Sequence, residues 1–138
     1  MAIKYFTLDG ANKALPLVNR IVADILHDFE IWRDRIRRYE LLSSQATAES
    51  GESPDQVALR EQVDEVAHRI NGYMDELAQI GCLFKGFDEG LVDFYSKRDD
   101  RDVFLCWKYG ESAVEHWHEL EGGFTGRQPV EAPVAGDA

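Results

Sequence analysis

The longest unbroken apolar run is Val103–Trp107, five residues. A membrane-spanning helix needs about 20, so no segment is a candidate span. The first residues, Met-Ala-Ile-Lys-Tyr-Phe-Thr, hold no apolar stretch of the kind a signal peptide requires, so none is expected. Cysteine is scarce. Cys82 and Cys106 cannot build a disulfide framework, and reduced thiols in a cytoplasm are expected. Basic residues are outnumbered: 15 Lys and Arg face 26 Asp and Glu, a formal net charge of −11. Nucleic-acid affinity comes mainly from cations neutralising phosphates, so this balance argues against a nucleic-acid partner. It argues equally against docking on anionic membrane. There is no glycine-rich phosphate loop, no Gly-x-Ser-x-Gly elbow, and neither Cys-x-x-Cys nor His-Glu-x-x-His.

What remains is a chain of one-domain length, 138 residues, with 44% hydrophobic residues, enough for a packed core. Thr7 reads as the cap of a short helix over 7–15, and Pro16 as the first residue of a new one. From Pro16 to about Ser44, Val18, Val22, Ile25, Phe29, Trp32, Ile36 and Tyr39 recur in steps of four and three. That is an a/d seam sustained over three heptads. Leu17, Ile21, Leu26, Ile31 and Leu42 lie off it, a second apolar surface. Residues 43–53 are polar and read as a mobile linker. Ser53-Pro54-Asp55-Gln56 carries the capping-box signature, with proline at the first helical position. Leu59, Val63, Val66, Ile70, Tyr73, Leu77 and Ile80 then form a second seam, which Gly81 stops. Each long helix should span on the order of 40 Å.

Nine of the fifteen aromatics fall in residues 82–128, which marks a different kind of unit after the helices. Leu91–Ser96 and Asp102–Trp107 read as strands around the charged turn Lys97-Arg98-Asp99-Asp100-Arg101. Residues 112–119 suit either a third strand or a short helix. Residues 122–128 read as loop, and 129–138 as a frayed tail. The expected fold class is α+β, a single domain over 1–138. A long, coiled-coil-like antiparallel helical hairpin over 7–81 is followed by a small antiparallel β unit over 82–128. The off-seam apolar residues call for a second copy of the hairpin, and so for a homodimer.

Five segments carry a resemblance to a family: Phe6-Thr7-Leu8 with Ala11-Asn12 and Leu15-Pro16; Gly90-Leu91-Val92-Asp93-Phe94; Leu105-Cys106-Trp107; Trp117-His118-Glu119; and Gly123-Phe124-Thr125-Gly126-Arg127-Gln128-Pro129. With these the chain resembles the uncharacterised prokaryotic family DUF2203 from residue 5 to about 129. Members of that family tend to carry Arg-Asp-Gly-Arg where this chain has Arg98-Asp99-Asp100-Arg101. They often have proline at the position of Tyr95, and an aromatic other than histidine at that of His116. The resemblance brings no reaction with it.

Chemistry must then come from the residues. Asp24 with His27 and Glu65 with His68 have the Asp/Glu-x-x-His spacing of di-iron bundles, but each pair falls at c and f of its heptad and so points away from the seam. Glu115-His116-Trp117-His118-Glu119 is the better candidate. On a strand, His116 and His118 share a face, as two imidazole ligands of one zinc, iron or manganese ion must. Asp93, Cys106, Glu119 or Glu121 would complete the set. The alternative is a structural His118, hydrogen-bonded to a buried carboxylate or carbonyl. Arg98, Arg101 and Arg127 are candidates for an anion pocket if their loops converge, and otherwise pair with neighbouring acids. Arg33, Arg35, Arg37 and Arg38 interleave with Glu30, Asp34 and Glu40, which suits pairing within the helix. Two functions follow as expectations. One is a non-catalytic cytoplasmic interaction or scaffold protein that homo-oligomerises through its hairpin. The other is a small metal-binding protein or metal-dependent enzyme built on His116, His118 and nearby carboxylates.

Overall fold

A computed structural model describes residues 3–45 and 51–130. Two long helices, α1 (Leu8–Gln45) and α2 (Pro54–Ile80), precede five strands. These are β1 (Cys82–Gly86), β2 (Leu91–Arg98), β3 (Arg101–Lys108), β4 (His116–Glu119) and β5 (Gln128–Pro129). The class is α+β. Residues 46–50 of the expected linker and 131–138 of the expected tail lie outside the described residues.

The helix boundaries follow their caps. The Thr7 hydroxyl accepts from the Gly10 N–H at 2.9 Å. Ser53 and Gln56 close a capping box with Pro54 at the start of α2, and Gly81 stops it at φ 108°. The expected break at Pro16 does not occur, and α1 runs through it. Proline inside a helix removes one backbone hydrogen bond and crowds the preceding turn, at about 3 kcal/mol. Ala11 and Leu15 before it, and Val18, Ile21 and Val22 after it, are buried in one core cluster. Packing of that continuous stripe outweighs the local cost. Asn12 adds an anchor: its side chain donates to the Val114 carbonyl at 3.1 Å and accepts from the Val114 N–H at 2.7 Å. The expected linker is also shorter than its composition suggests. Residues 43–45 belong to α1. Glu52 accepts from Tyr39 at 2.6 Å and from Arg60 at 3.2 Å, so this end is tied to both helices.

The helices pack antiparallel. Asp28 meets Arg69, Arg35 meets Gln62, and Ser43 meets Gln56. Of the off-seam residues, Ile21 is buried within the chain, and Leu26 and Ile31 pack against the core. Leu26 lies beside Gly90, where a Cβ would stand 3.1 Å from its methyl. The β unit therefore reaches part of the surface that the sequence assigns to a second copy, at Leu26, and Leu17 stays 53% exposed.

All strand pairs are antiparallel, in the order β1-β2-β3-β4-β5. Two strands exceed expectation. β1 lies in a stretch with no alternation, and β5 is two residues long and borders on β4. Residues 116–119 are strand, which settles the open choice there. The β2–β3 turn narrows to Asp99 and Asp100, at φ 52° and 64°. Positive φ at both central residues suits Asn-Gly or Asp-Gly, and Asp100 fills the glycine position.

Val92, Phe94, Val103, Leu105, Trp107 and Trp117 form one face of the sheet and join the helices in the core. The register places Asp93, Cys106 and His116 in one row of the other face, with Tyr95, Phe104 and His118 in the next. The chain after β4 returns over this outer face.

Pro16 is exposed, so its replacement loses no packing. Pro16→Ala restores a helical N–H and should raise stability by about 1–3 kcal/mol. Urea denaturation checks this, and a less stable variant would show that the ring holds α1 in place.

Candidate functional site

The outer face should be wet by the logic of a small antiparallel sheet, yet its centre is dry. Asp93 is 4% exposed, Cys106 1% and His118 2%. Cys106 stands directly opposite Asp93 in the β2–β3 register, and His118 is the next outward residue of β4. His118 Nε2 lies 3.1 Å from Asp93 Oδ1, and Nδ1 lies 2.7 Å from the Glu119 carbonyl oxygen. A carbonyl only accepts, so Nδ1 carries a proton and donates it. One further proton is shared between Nε2 and the carboxyl group. Burial pushes the Asp93 carboxyl above its usual range, against the opposing pull of His118. The shared proton links β2 through the imidazole to the β4 backbone.

Burial also pushes the Cys106 thiol up, to about 11, and the Asp93 charge adds to this. Such a thiol is protonated and a poor nucleophile. Neither ring nitrogen of His118 is free to act as its base. The cluster is not arranged for nucleophilic catalysis, and no substrate atom reaches it through a surface this closed.

A second, half-buried cluster adjoins the first. Arg127 binds Glu111 with both terminal nitrogens, and Nη2 lies 3.0 Å from His116 Nδ1. Arg127 Nη1 also lies 3.8 Å from Cys106 Sγ. Glu111 accepts from the Lys108 N–H at 2.7 Å. These hydrogen bonds to Glu111, from Arg127 and then from the Lys108 backbone, hold its carboxyl below the usual range, although burial pulls it upward.

The predicted ligand set is therefore redistributed. His116 and His118 do share a face, as a strand requires, but His116 is held by Arg127 and Glu111. Glu119 points to the opposite face and pairs with Arg101 at 3.0 Å. Of the predicted residues, Asp93 and His118 stay together, and Cys106 joins them. Glu121 is exposed and outside the cluster. The three arginines do not converge. Arg98 lies 4.5 Å over the Trp117 ring and Arg101 is paired with Glu119, both on the helix-side face, whereas Arg127 acts on the outer one. Asp24, His27, Glu65 and His68 are all exposed, as their heptad positions require. Sequence reasoning missed Glu111, which sits in a loop without periodicity. It also missed the Asp28–Arg69 pair, with contacts at 3.0 and 3.3 Å.

The family model described as an uncharacterized conserved protein, DUF2203, matches residues 4–130. The chain belongs to this family. Searches of curated proteins and of solved structures found no match. Of the DUF2203 segments quoted from the sequence, three supply the outer-face groups: Asp93, Cys106 and His118. A fourth supplies Arg127.

His118→Ala leaves Asp93 and the Glu119 carbonyl without a partner in a dry site. It should cost about 2–4 kcal/mol. His27→Ala and His68→Ala should stay within about 0.5 kcal/mol. Midpoints of urea denaturation for the three variants check the contrast.

The direction of the Asp93 shift also fixes a pH dependence. A carboxyl raised in the folded state binds a proton that the unfolded chain has already lost. Its stabilisation is complete below the ordinary carboxylate value, near 4, and declines as pH rises through the folded value. Asp93→Asn keeps a neutral donor toward Nε2. The stability of wild type relative to this variant should therefore fall as pH is raised from about 4, and a flat difference would count against a raised Asp93 carboxyl.

Proposed function

We propose that this DUF2203 member is a non-catalytic cytoplasmic interaction protein that homodimerises through its helical hairpin. The observation that carries this reading is the state of the distal hairpin. From Phe29 to Gln45 no side chain of α1 is buried, although the seam there holds Trp32, Ile36 and Tyr39, with Leu42 beside it. Leu59 and Val63 of α2 are likewise only half-buried, and Leu41 is 59% exposed. Two helices alone leave such a seam half wet, and a coiled-coil-like second pair dries it.

The occupant argued for is a second copy. Residues 30–45 of α1 carry four arginines against three acids. Residues 54–65 of α2 carry four acids against one arginine. A twofold pairing that sets α1 of one protomer against α2 of its partner places these stretches together. A recess of about 410 Å³ between the helices, lined by Leu41, Leu42, Ala58 and Leu59 with Arg38 and Asp55, supports the same pairing. The closed outer-face cluster supports the non-catalytic part. No described helix is long and apolar enough to cross a membrane.

Sedimentation equilibrium should give twice the chain mass of 15.7 kDa at micromolar concentration, with weaker association at high salt. Leu41→Glu combined with Leu42→Glu should weaken the dimer at least tenfold while the helical circular dichroism is unchanged. A wild type that stays monomeric at micromolar concentration overturns the reading.

A further inference from the structure

The outer-face cluster has a donor set suited to a metal ion, and this inference stands apart from the dimer. Carboxylate, thiol and imidazole come from three adjacent strands, β2, β3 and β4. Their ligating atoms all lie within 4.8 Å of one another, and among the described residues no other group of three such side chains does this. Two nitrogen or oxygen ligands of one tetrahedral zinc, each about 2.0–2.1 Å from it, stand about 3.3 Å apart. Nε2 and Oδ1 are already 3.1 Å apart. The sulfur lies within 4.8 Å of both.

Two further observations point to a ligand. Nδ1 of His118 donates to the Glu119 carbonyl, which fixes the ring and leaves Nε2 for an ion. Metal-bound histidines almost always have such a partner behind them. The sulfur has its own: Arg127 Nη1, 3.8 Å from Sγ, is placed to donate to a thiolate. A neutral buried thiol gains little from a guanidinium, whereas a metal-bound one does.

We propose that Asp93, Cys106 and His118 bind one zinc ion, with a water molecule in the fourth position. The mixed sulfur, nitrogen and oxygen set selects zinc over magnesium or calcium, which take oxygen ligands. On binding, the thiol proton and the proton shared by Asp93 and His118 leave to solvent. Thiolate and carboxylate then balance the two charges of the ion, so the loaded cluster is as neutral as its burial demands. Held by all three side chains, the ion cross-links β2, β3 and β4.

The test uses the full chain, prepared without an affinity tag and freed of metal. Cobalt(II), the zinc probe, is added without oxygen. One equivalent should produce the thiolate-to-cobalt charge-transfer band with the strong visible bands of tetrahedral cobalt, and zinc should displace it. Cys106→Ser should abolish the charge-transfer band and lower zinc affinity at least about 100-fold. Cys82→Ser, whose thiol lies outside the cluster, should leave both unchanged. X-ray absorption at the zinc edge of the wild-type protein needs no variant and should show one sulfur among nitrogen and oxygen neighbours. No band at a full equivalent, a band lost with Cys82→Ser but kept with Cys106→Ser, or a zinc shell without sulfur overturns the proposal.

Discussion

The central strand is buried on both faces, and much of the molecule follows from that. Val103, Phe104, Leu105, Cys106 and Trp107 are all at most 6% exposed. Alternation sends Val103, Leu105 and Trp107 to the helices, and Phe104 and Cys106 to the other side. An antiparallel sheet of five short strands ordinarily leaves that side to water. Here the chain after β4 must return over it, so the outer face acquires a second, smaller core. Any polar residue caught beneath has to find its partner within the protein. Asp93 and His118 find each other, and the spare nitrogen of His118 finds the backbone.

The same geometry sets where the hairpin is supported. Burial along α1 ends at Asp28, the last buried residue of that helix. Arg69 grips Asp28 from α2, with the carboxylate 8% exposed and the guanidinium 40%. The ion pair marks the boundary between two regimes. On one side a helix pair is backed by a sheet, with Val18, Val22 and Ile25 fully dry. On the other side, past the stacking of Phe29 on Phe87, the pair stands alone and its seam is half wet. Burial thus divides one uninterrupted heptad pattern into a structural half and a half available for association.

This division explains what was legible in the sequence. Periodicity gave both helices, their caps and the β2–β3 hairpin, because each rests on spacing or on local chemistry. It could not give continuity through Pro16, since only packing from outside the helix decides that contest. β1 escaped because it borders Gly81 and is short, and β5 because two residues carry no pattern. For the site, the alternation that paired His116 with His118 also excludes Glu119 once 116–119 is strand, and the open choice between strand and helix hid this. The diversion of His116 depended on Glu111, which no spacing announces. Asp28 and Arg69 did leave a signal. With Val22 and Ile25 at a and d, Asp28 falls at g, and with Val63 and Val66 at a and d, so does Arg69. Antiparallel helices bring g against g, so that pair could have been read before any coordinates.

A strand that is apolar on both faces creates a difficulty that the outer cluster resolves. Register in a sheet is normally enforced by hydrophobic pattern, because a slip of one residue exchanges the buried and solvated faces. For β3 that exchange costs little, since both its faces are apolar. The polar trio breaks the degeneracy. A one-residue slip of β4 along β3 would turn His118 into the helix-side core and set Trp117 against Asp93. The carboxyl group would then be buried without a partner, at roughly 1–3 kcal/mol or more. A slip of β2 would carry Asp93 itself into the apolar layer. Buried polar groups can specify one arrangement among near-equals even where they add little net stability. On this view Asp93, Cys106 and His118 fix the register of the three strands that supply them, and an ion held by all three would tighten the same constraint.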